Sequence, residues 1–169
     1  MRFEFTPTLK RTVLLAVTLL ILDQLSKQWI VNHYALFQGF EVTSFFNIVR
    51  VHNPGAAFSF LANAGGWQQY FFTILAFVVS GYLLWMMMQA PNDKRLCLAL
   101  GLIISGAMGN VIDRIRYGYV VDFLDVHAAG FHWPAFNVAD SCICVGAALL
   151  IFDELAKMRA AKAAKKGAV

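Results

Sequence analysis

The chain has 169 residues, 59% of them hydrophobic and only 14% charged, with a net charge of +4 and a mean hydropathy of +0.60. Soluble domains carry about a quarter charged residues, and a small domain keeps too much of its surface in water to hide this much apolar side chain. A soluble globular protein is thereby excluded, and lipid is the solvent the composition suits.

A bilayer core about 30 Å thick takes about 20 mostly apolar residues per crossing helix. Thr12–Val31, Trp67–Met88, Leu96–Ile115 and Val138–Met158 meet that length. The first follows Lys10 and Arg11 as a secretory signal would, but Asp23 and Lys27 interrupt it and no small-x-small site follows, so it reads as a retained helix. The expected fold class is an all-α integral membrane protein, a four-transmembrane-helix bundle forming one domain over residues 1–169.

Orientation follows from Lys and Arg at helix ends. Arg2, Lys10 and Arg11 precede the first span, Lys94 and Arg95 lie between the second and third, and Lys157, Arg159, Lys162, Lys165 and Lys166 end the chain. Both termini are therefore expected in the cytoplasm, with loops 32–66 and 116–137 periplasmic and a basic cytoplasmic tail over 159–169. A pI near 9.1 invites a nucleic-acid reading. The basic residues sit at helix ends rather than on a stripe, so no nucleic acid is expected, and the tail should attract anionic membrane lipids.

Between the first two spans, Ile48, Arg50 and His52 alternate with Asn47, Val49 and Val51, a short strand pattern whose partner is expected in Glu41–Phe46. Asn53-Pro54-Gly55 then turns the chain into Ala56–Leu61, an apolar stretch too short to span. Gln89–Asp93 is a turn cluster between the second and third spans. Val120–Asn137 reads as an amphipathic loop mixing Val, Phe, Leu and Trp with Asp122, Asp125, His127 and His132. Gly101, Ser105 and Gly109, and Cys142 with Gly146, are small residues at four-residue steps that permit close helix approach. Cys97, Cys142 and Cys144 have neither zinc nor redox spacing and read as packing residues.

Each ionisable group within a span costs about 2.5–3.5 kcal/mol on insertion scales and needs an account. Asp23 and Lys27 share a helix face and can pair, either as a structural ion pair or in support of a substrate site. Asp113 and Arg114 follow Asn110 near a helix end, where a solvated carboxylate and an interfacial arginine are the plain reading. Asp140 opens the fourth span, where a carboxylate favours the positive end of the helix dipole as a cap. Upstream, Asp122 and Asp125 fall at the same membrane face, and the loop can fold back so that one of them meets Asp140. Two carboxylates held together share a proton, one serving as base toward water and the other as acid toward a carbonyl. Such a pair hydrolyses peptide bonds with neither metal nor cofactor. A zinc peptidase lacks its HExxH, His127 and His132 standing alone, and neither Ser59 nor Ser141 sits in a GxSxG setting.

Five pieces in order then resemble the bacterial lipoprotein signal peptidase (signal peptidase II) family. They are Leu22–Lys27, Asn53–Ser59, Gly106–Arg114, Val120–Phe123 and Phe136–Ser141. The resemblance implies a metal-free aspartyl endopeptidase with the dyad at Asp122 and Asp140, leaving Asp125 outside it. It implies a substrate site at Asn53, Asn110, Arg114 and Asn137, with Asp23, Lys27, Asp113, Gly55 and Ala139 in support. It further implies a small β-rich periplasmic cradle, a bacterial inner-membrane location and inhibition by globomycin-type cyclic peptides. The implied substrate is a diacylglyceryl-modified prolipoprotein cut just before its lipidated cysteine. Pro54 departs from the usual pattern and should stiffen the turn after Asn53. A monomer is expected, since one chain supplies both aspartates. The rival from another class is a small transporter using Asp23, Lys27 and Asp140 as a proton relay. Its polar residues should run through the middle of the membrane rather than gather at one face. A non-catalytic scaffold leaves the Asp/Asn/Arg cluster without a purpose.

Overall fold

In the computed structural model, which describes residues 5–55 and 65–167, the chain order is α1 (Pro7–His33), β1 (Gly39–Thr43), β2 (Phe46–Asn53), α2 (Gln68–Gln89), α3 (Lys94–Tyr117), β3 (Val120–Ala128), β4 (Phe131–His132) and α4 (Val138–Gly167). The expected apolar stretch Ala56–Leu61, with Ser59, lies outside the described residues. Helix α1 starts where Thr6 accepts a hydrogen bond from Leu9 N and Pro7 takes the first helical position, where a missing N–H costs nothing. Thr6 Oγ1 also donates to Pro91 O at 2.6 Å, tying this end of α1 to the α2–α3 turn. Asp93 caps α3 by accepting from Arg95 N and Leu96 N, and Gly118, at φ 78°, ends it in the left-handed region that favours glycine.

By length and composition, α1, α2 and α3 can each cross a membrane. Side chains such as Leu14 and Ile74, 69% and 63% exposed, turn outward where only lipid would cover them. Helix α4 is longer still, but Asp140 at one end and Asp153, Glu154 and Lys157 further on bound its apolar stretch.

Helix α3 is the central element and packs against all three other helices. The small residues make this possible. Ser105 Oγ donates to Ala16 O at 2.7 Å across the α1–α3 contact. A Cβ on Gly146 would lie 2.7 Å from Ala99 O, and one on Gly106 would run into Ala139 O. Because the Ala139 carbonyl belongs to a helix backbone, Gly106→Ala should force α3 and α4 apart and cost about 1–3 kcal/mol. A lowered melting temperature in detergent would register the loss, and an unchanged melt would show that the helices yield freely. All three cysteines are free thiols; Cys97 and Cys142 are buried as packing residues would be, whereas Cys144 is exposed.

The strands form one antiparallel array in the order β1-β2-β3-β4. The β1–β2 hairpin follows the alternation of the first loop. Strand β3 corrects the expectation of an amphipathic loop over Val120–Asn137. It pairs with β2 from Asn53↔Val120 to Phe46↔Val126, joining the loop after α1 to the loop after α3. Its first four residues, Val120 to Phe123, are all buried, so the alternation that marks a half-exposed strand is absent.

Two apolar clusters bracket the bundle. Leu9, Leu83, Met87, Cys97 and Leu100 fill one end, and Ile30, Val121 and Phe123 seat the sheet on the other. Between and beside them lies buried polar chemistry: Asp23, Lys27, Asn110, Asp113, Asp122 and Asn137.

Candidate active site

The site begins with one ammonium. Lys27 Nζ lies 2.9 Å from Asp23 Oδ2, 3.1 Å from Asp113 Oδ2 and 3.0 Å from Asn110 Oδ1. All three charged side chains are 1–2% exposed. The three N–H bonds of a lysine are thus matched to three acceptors. The expected Asp23–Lys27 pair is present, and Asp113 joins it. This corrects the plain reading of Asp113 as a solvated helix-end residue. The second carboxylate is offset by backbone and amide donors. Ala139 N donates to Asp23 Oδ1 at 2.8 Å, and Val121 N donates to Asp113 Oδ2 at 3.0 Å. Gln24 Nε2 lies 3.1 Å from Asp23 Oδ2, Asp113 Oδ1 and Gly109 O. Gly109 keeps the space open, since a Cβ there would sit 2.6 Å from Asp23 Oδ2.

From this cluster the order passes outward through amides. With its oxygen held by Lys27, Asn110 turns Nδ2 to Asp140 Oδ1 at 2.8 Å. Asn137 caps α4 reciprocally with Asp140: its Oδ1 accepts from Asp140 N at 2.9 Å, while Asp140 Oδ2 accepts from Asn137 N at 3.3 Å. Asn137 Nδ2 then donates to Asp122 Oδ1 at 2.7 Å, with Asn110 Oδ1 and Val121 O each 3.3 Å away. Asn53 Nδ2 donates to Asp122 Oδ2 at 3.1 Å. Asp140 therefore combines the capping role read from sequence with a place beside a second carboxylate. Asn137 touches both carboxylates, while Asn110 holds only Asp140 and Asn53 only Asp122.

Burial, and after it the neighbouring Asp140 carboxylate, push the Asp122 carboxyl up to about 7, against the hydrogen bonds from Asn53 and Asn137. Asp125, the other candidate partner, is engaged elsewhere. Its carboxylate lies 2.9 Å from His132 Nδ1 and accepts from Asn47 Nδ2 at 2.9 Å. Burial acts to raise Asp125, but these hydrogen bonds hold its carboxyl below the usual range. His132 stacks on His127 with ring centroids 4.7 Å apart, so these histidines do not stand alone as the sequence suggested.

Arg114 reaches from α3 to the β2 end. Nη2 donates to Gly55 O at 3.0 Å, Nη1 to Asn110 O at 3.4 Å, and its guanidinium lies 5.4 Å from the Phe72 ring centroid. Its Nε is buried and has no hydrogen-bond partner among the described residues. Gly55 N donates back to Asn53 Oδ1 at 3.0 Å, so the turn after β2 orients Asn53. Ser141 Oγ donates to Asn137 O, a capping hydroxyl rather than a nucleophile. Among the described residues, no three His, Cys, Asp or Glu side chains converge where they could hold a metal ion. A groove of about 350 Å³ at the sheet is lined by Phe37, Val49, Val51, Asp125 and Trp133 among others. Val51 is the register partner of Asp122 and shares its sheet face.

Gln24 and Asn47 escaped the sequence reading. Gln24 had a signal: an amide within a span needs a partner as a carboxylate does. Asn47 had none, because its partner Asp125 is supplied by the β2–β3 register.

The family model described as signal peptidase (SPase) II matches residues 15–156. A lipoprotein signal peptidase of Polynucleobacter necessarius is 51% identical over 150 residues, 89% of this chain and 92% of that one. That of Ralstonia nicotianae is 53% identical over 145 residues, 86% and 84% of the two chains. A bacterial membrane enzyme structure obtained by the in meso method at 2.3 Å resolution superposes with a TM-score of 0.83 at 31% identity, covering 94% of each chain. A second, at 1.9 Å, gives 0.78 at 32%, covering 92% of this chain and 97% of the other. With a matched segment running from within α1 to within α4, and with that identity over most of its length, the chain belongs to the signal peptidase II family.

Proposed function

We propose that Asp122 and Asp140 are the catalytic dyad of an aspartyl endopeptidase that cleaves diacylglyceryl-modified prolipoproteins immediately before the lipidated cysteine. One observation carries the assignment. Two largely buried carboxylates from different elements are both hydrogen-bonded to Asn137, an arrangement that would be costly without a use for a shared proton.

Asp140 sits in the first turn of α4, where the positive end of the helix dipole favours the ionised form, so it serves as the base. Asp122 holds the proton. Asp140 takes a proton from water as the water oxygen attacks the scissile carbonyl, and Asp122 gives its proton to the carbonyl oxygen. In the collapse of the resulting diol, Asp140 passes its proton to the leaving amine as the C–N bond breaks, and Asp122 recovers one from the diol hydroxyl. The pair ends as it began. Arg114 and Asn53 meet the substrate backbone, Asn110 and Asn137 position the dyad that acts on it, and Asp23, Lys27, Asp113, Gly55 and Ala139 hold these groups in place. The groove beside Val51 gives the chain after the scissile bond an apolar bed.

The same reading makes α4 the fourth span and places the enzyme in the bacterial inner membrane with both termini cytoplasmic. It also makes the enzyme a monomeric single domain that globomycin-type cyclic peptides inhibit. The diacylglyceryl group would then anchor the scissile bond at the bilayer edge, level with the dyad. Asp23 and Lys27, the transporter's relay, are instead consumed in a fixed ion cluster.

The test is a gel-shift assay with purified protein, lipidated prolipoprotein and excess chelator. Cleavage should persist, should be lost on substituting either dyad aspartate, and should survive Asp125→Asn, because that carboxylate meets His132 and Asn47 rather than the dyad. On the alkaline side kcat/KM should fall through about pH 7, because the Asp122 proton is lost there. Cleavage abolished by chelator, or by Asp125→Asn with Asp122→Asn active, would overturn the assignment.

A further inference from the structure

At the end of the bundle away from the carboxylate pair, a cleft of about 190 Å³ opens between the starts of α1 and α3. It is lined by Thr8, Arg11, Thr12, Leu15, Lys94 and Leu98. Lys94 precedes Asn110 by sixteen residues on α3, about 24 Å at 1.5 Å per residue. The cleft is therefore distinct from the active site. We infer that it binds the phosphate headgroup of an anionic phospholipid, a reading that rests on the chain's membrane location but not on its catalytic assignment.

The cations of the cleft are spare. Two neighbouring basic residues have carboxylate partners: Arg95 lies 3.8 Å from Asp153, and Lys157 lies 2.6 Å from Asp153 and 3.4 Å from Asp93. Arg11 and Lys94 have none among the described residues. Both lie near the starts of helices whose first turns carry no acidic residue. Cations at the positive end of a helix dipole are unfavourable until an anion joins them. Asp93, next to Lys94 in the chain, is occupied by the α3 cap and by Lys157.

The walls match a lipid rather than a soluble anion. Thr12 closes the floor, 7% exposed, with its methyl against Gly101, where any Cβ would clash with it. Leu15 and Leu98, 39% and 36% exposed, line the cleft and keep apolar surface open. A headgroup phosphate between Arg11 and Lys94, with the Thr8 and Thr12 hydroxyls as donors, would lay its acyl chains along these leucines. Basic pockets between transmembrane helices are the recognised geometry for anionic headgroups.

The test is native mass spectrometry of the purified protein titrated with phosphatidylglycerol or with phosphatidylcholine of the same chains. The wild type should retain one phosphatidylglycerol in preference to phosphatidylcholine. Arg11→Gln with Lys94→Gln should weaken phosphatidylglycerol about 30-fold, the factor expected for losing two cations at an anionic surface, and Lys94→Gln alone about fivefold. Arg159→Gln with Lys162→Gln, which removes two of the tail's cations, should leave the preference intact. If the double variant does not fold, the single variant decides. Unchanged retention in the cleft variants, loss of preference in the tail variant, or displacement by glycerol phosphate at equal concentration would each overturn the site. Cleavage activity is read separately, so a failed dyad assignment would not be mistaken for a failed lipid site.

Discussion

Asp140→Asn is expected to lower kcat/KM about 10³-fold, with Asp122→Asn close behind, as the loss of a positioned acid or base does. The two losses should not multiply, because either amide leaves a pair that cannot pass a proton from water to the leaving amine. The double variant should therefore be nearly as active as the worse single one. Stability should move the other way for Asp122. Its folded-state carboxyl titrates at about 7 rather than 3.8, so the folded state binds that proton more tightly than the unfolded chain. The resulting contribution to stability is full below about pH 4 and is lost as the pH rises through about 7. Asparagine carries no such ionisation, so Asp122→Asn should melt no lower than the wild type at pH 8 while being nearly inactive. Gel-shift kinetics and thermal melts in the same detergent check both halves. An Asp122→Asn protein that is inactive only because it has unfolded would remove the case for catalysis by this residue.

How much of this was legible beforehand differed by element. Helices α1, α2 and α3 declared themselves, because about twenty mostly apolar residues have no stable place but lipid. Their true ends lie further out than the apolar runs: α1 begins at Pro7, where Thr6 and Pro7 supply the cap. Strand β2 showed its alternation, whereas β3 hid because burial of Val120 to Phe123 erases it. The Asp23–Lys27 pair was readable from helical spacing. The third member, Asp113, was not, since α3 meets α1 only in the folded bundle. Choosing between Asp122 and Asp125 lay beyond spacing altogether. The two differ by three residues and therefore point to opposite sheet faces, one toward Asn137 and Asn53, the other toward Asn47 and His132. Only the family resemblance made that choice in advance.

Lys27→Met should be the most destabilising single change in the bundle. It leaves Asp23 and Asp113 buried without the ammonium that both touch, and stranding a buried charge in this way costs about 3–5 kcal/mol. For a chain of this size that corresponds to roughly 10 °C or more in melting temperature. Activity should fall as well, for a separable reason. The ammonium also holds Asn110 Oδ1, and a side-chain amide with its oxygen released can flip, turning its NH₂ away from Asp140. Asn110→Ala divides the two roles. It removes the amide link while keeping the ion cluster, so it should cost cleavage far more than it costs the melt, whereas Lys27→Met should cost both. If Lys27→Met melted like the wild type yet lost activity, the lysine would be acting on substrate rather than supporting the fold. If Asn110→Ala cleaved normally, the chain of order running from Lys27 through Asn110 to Asp140 would have no catalytic consequence.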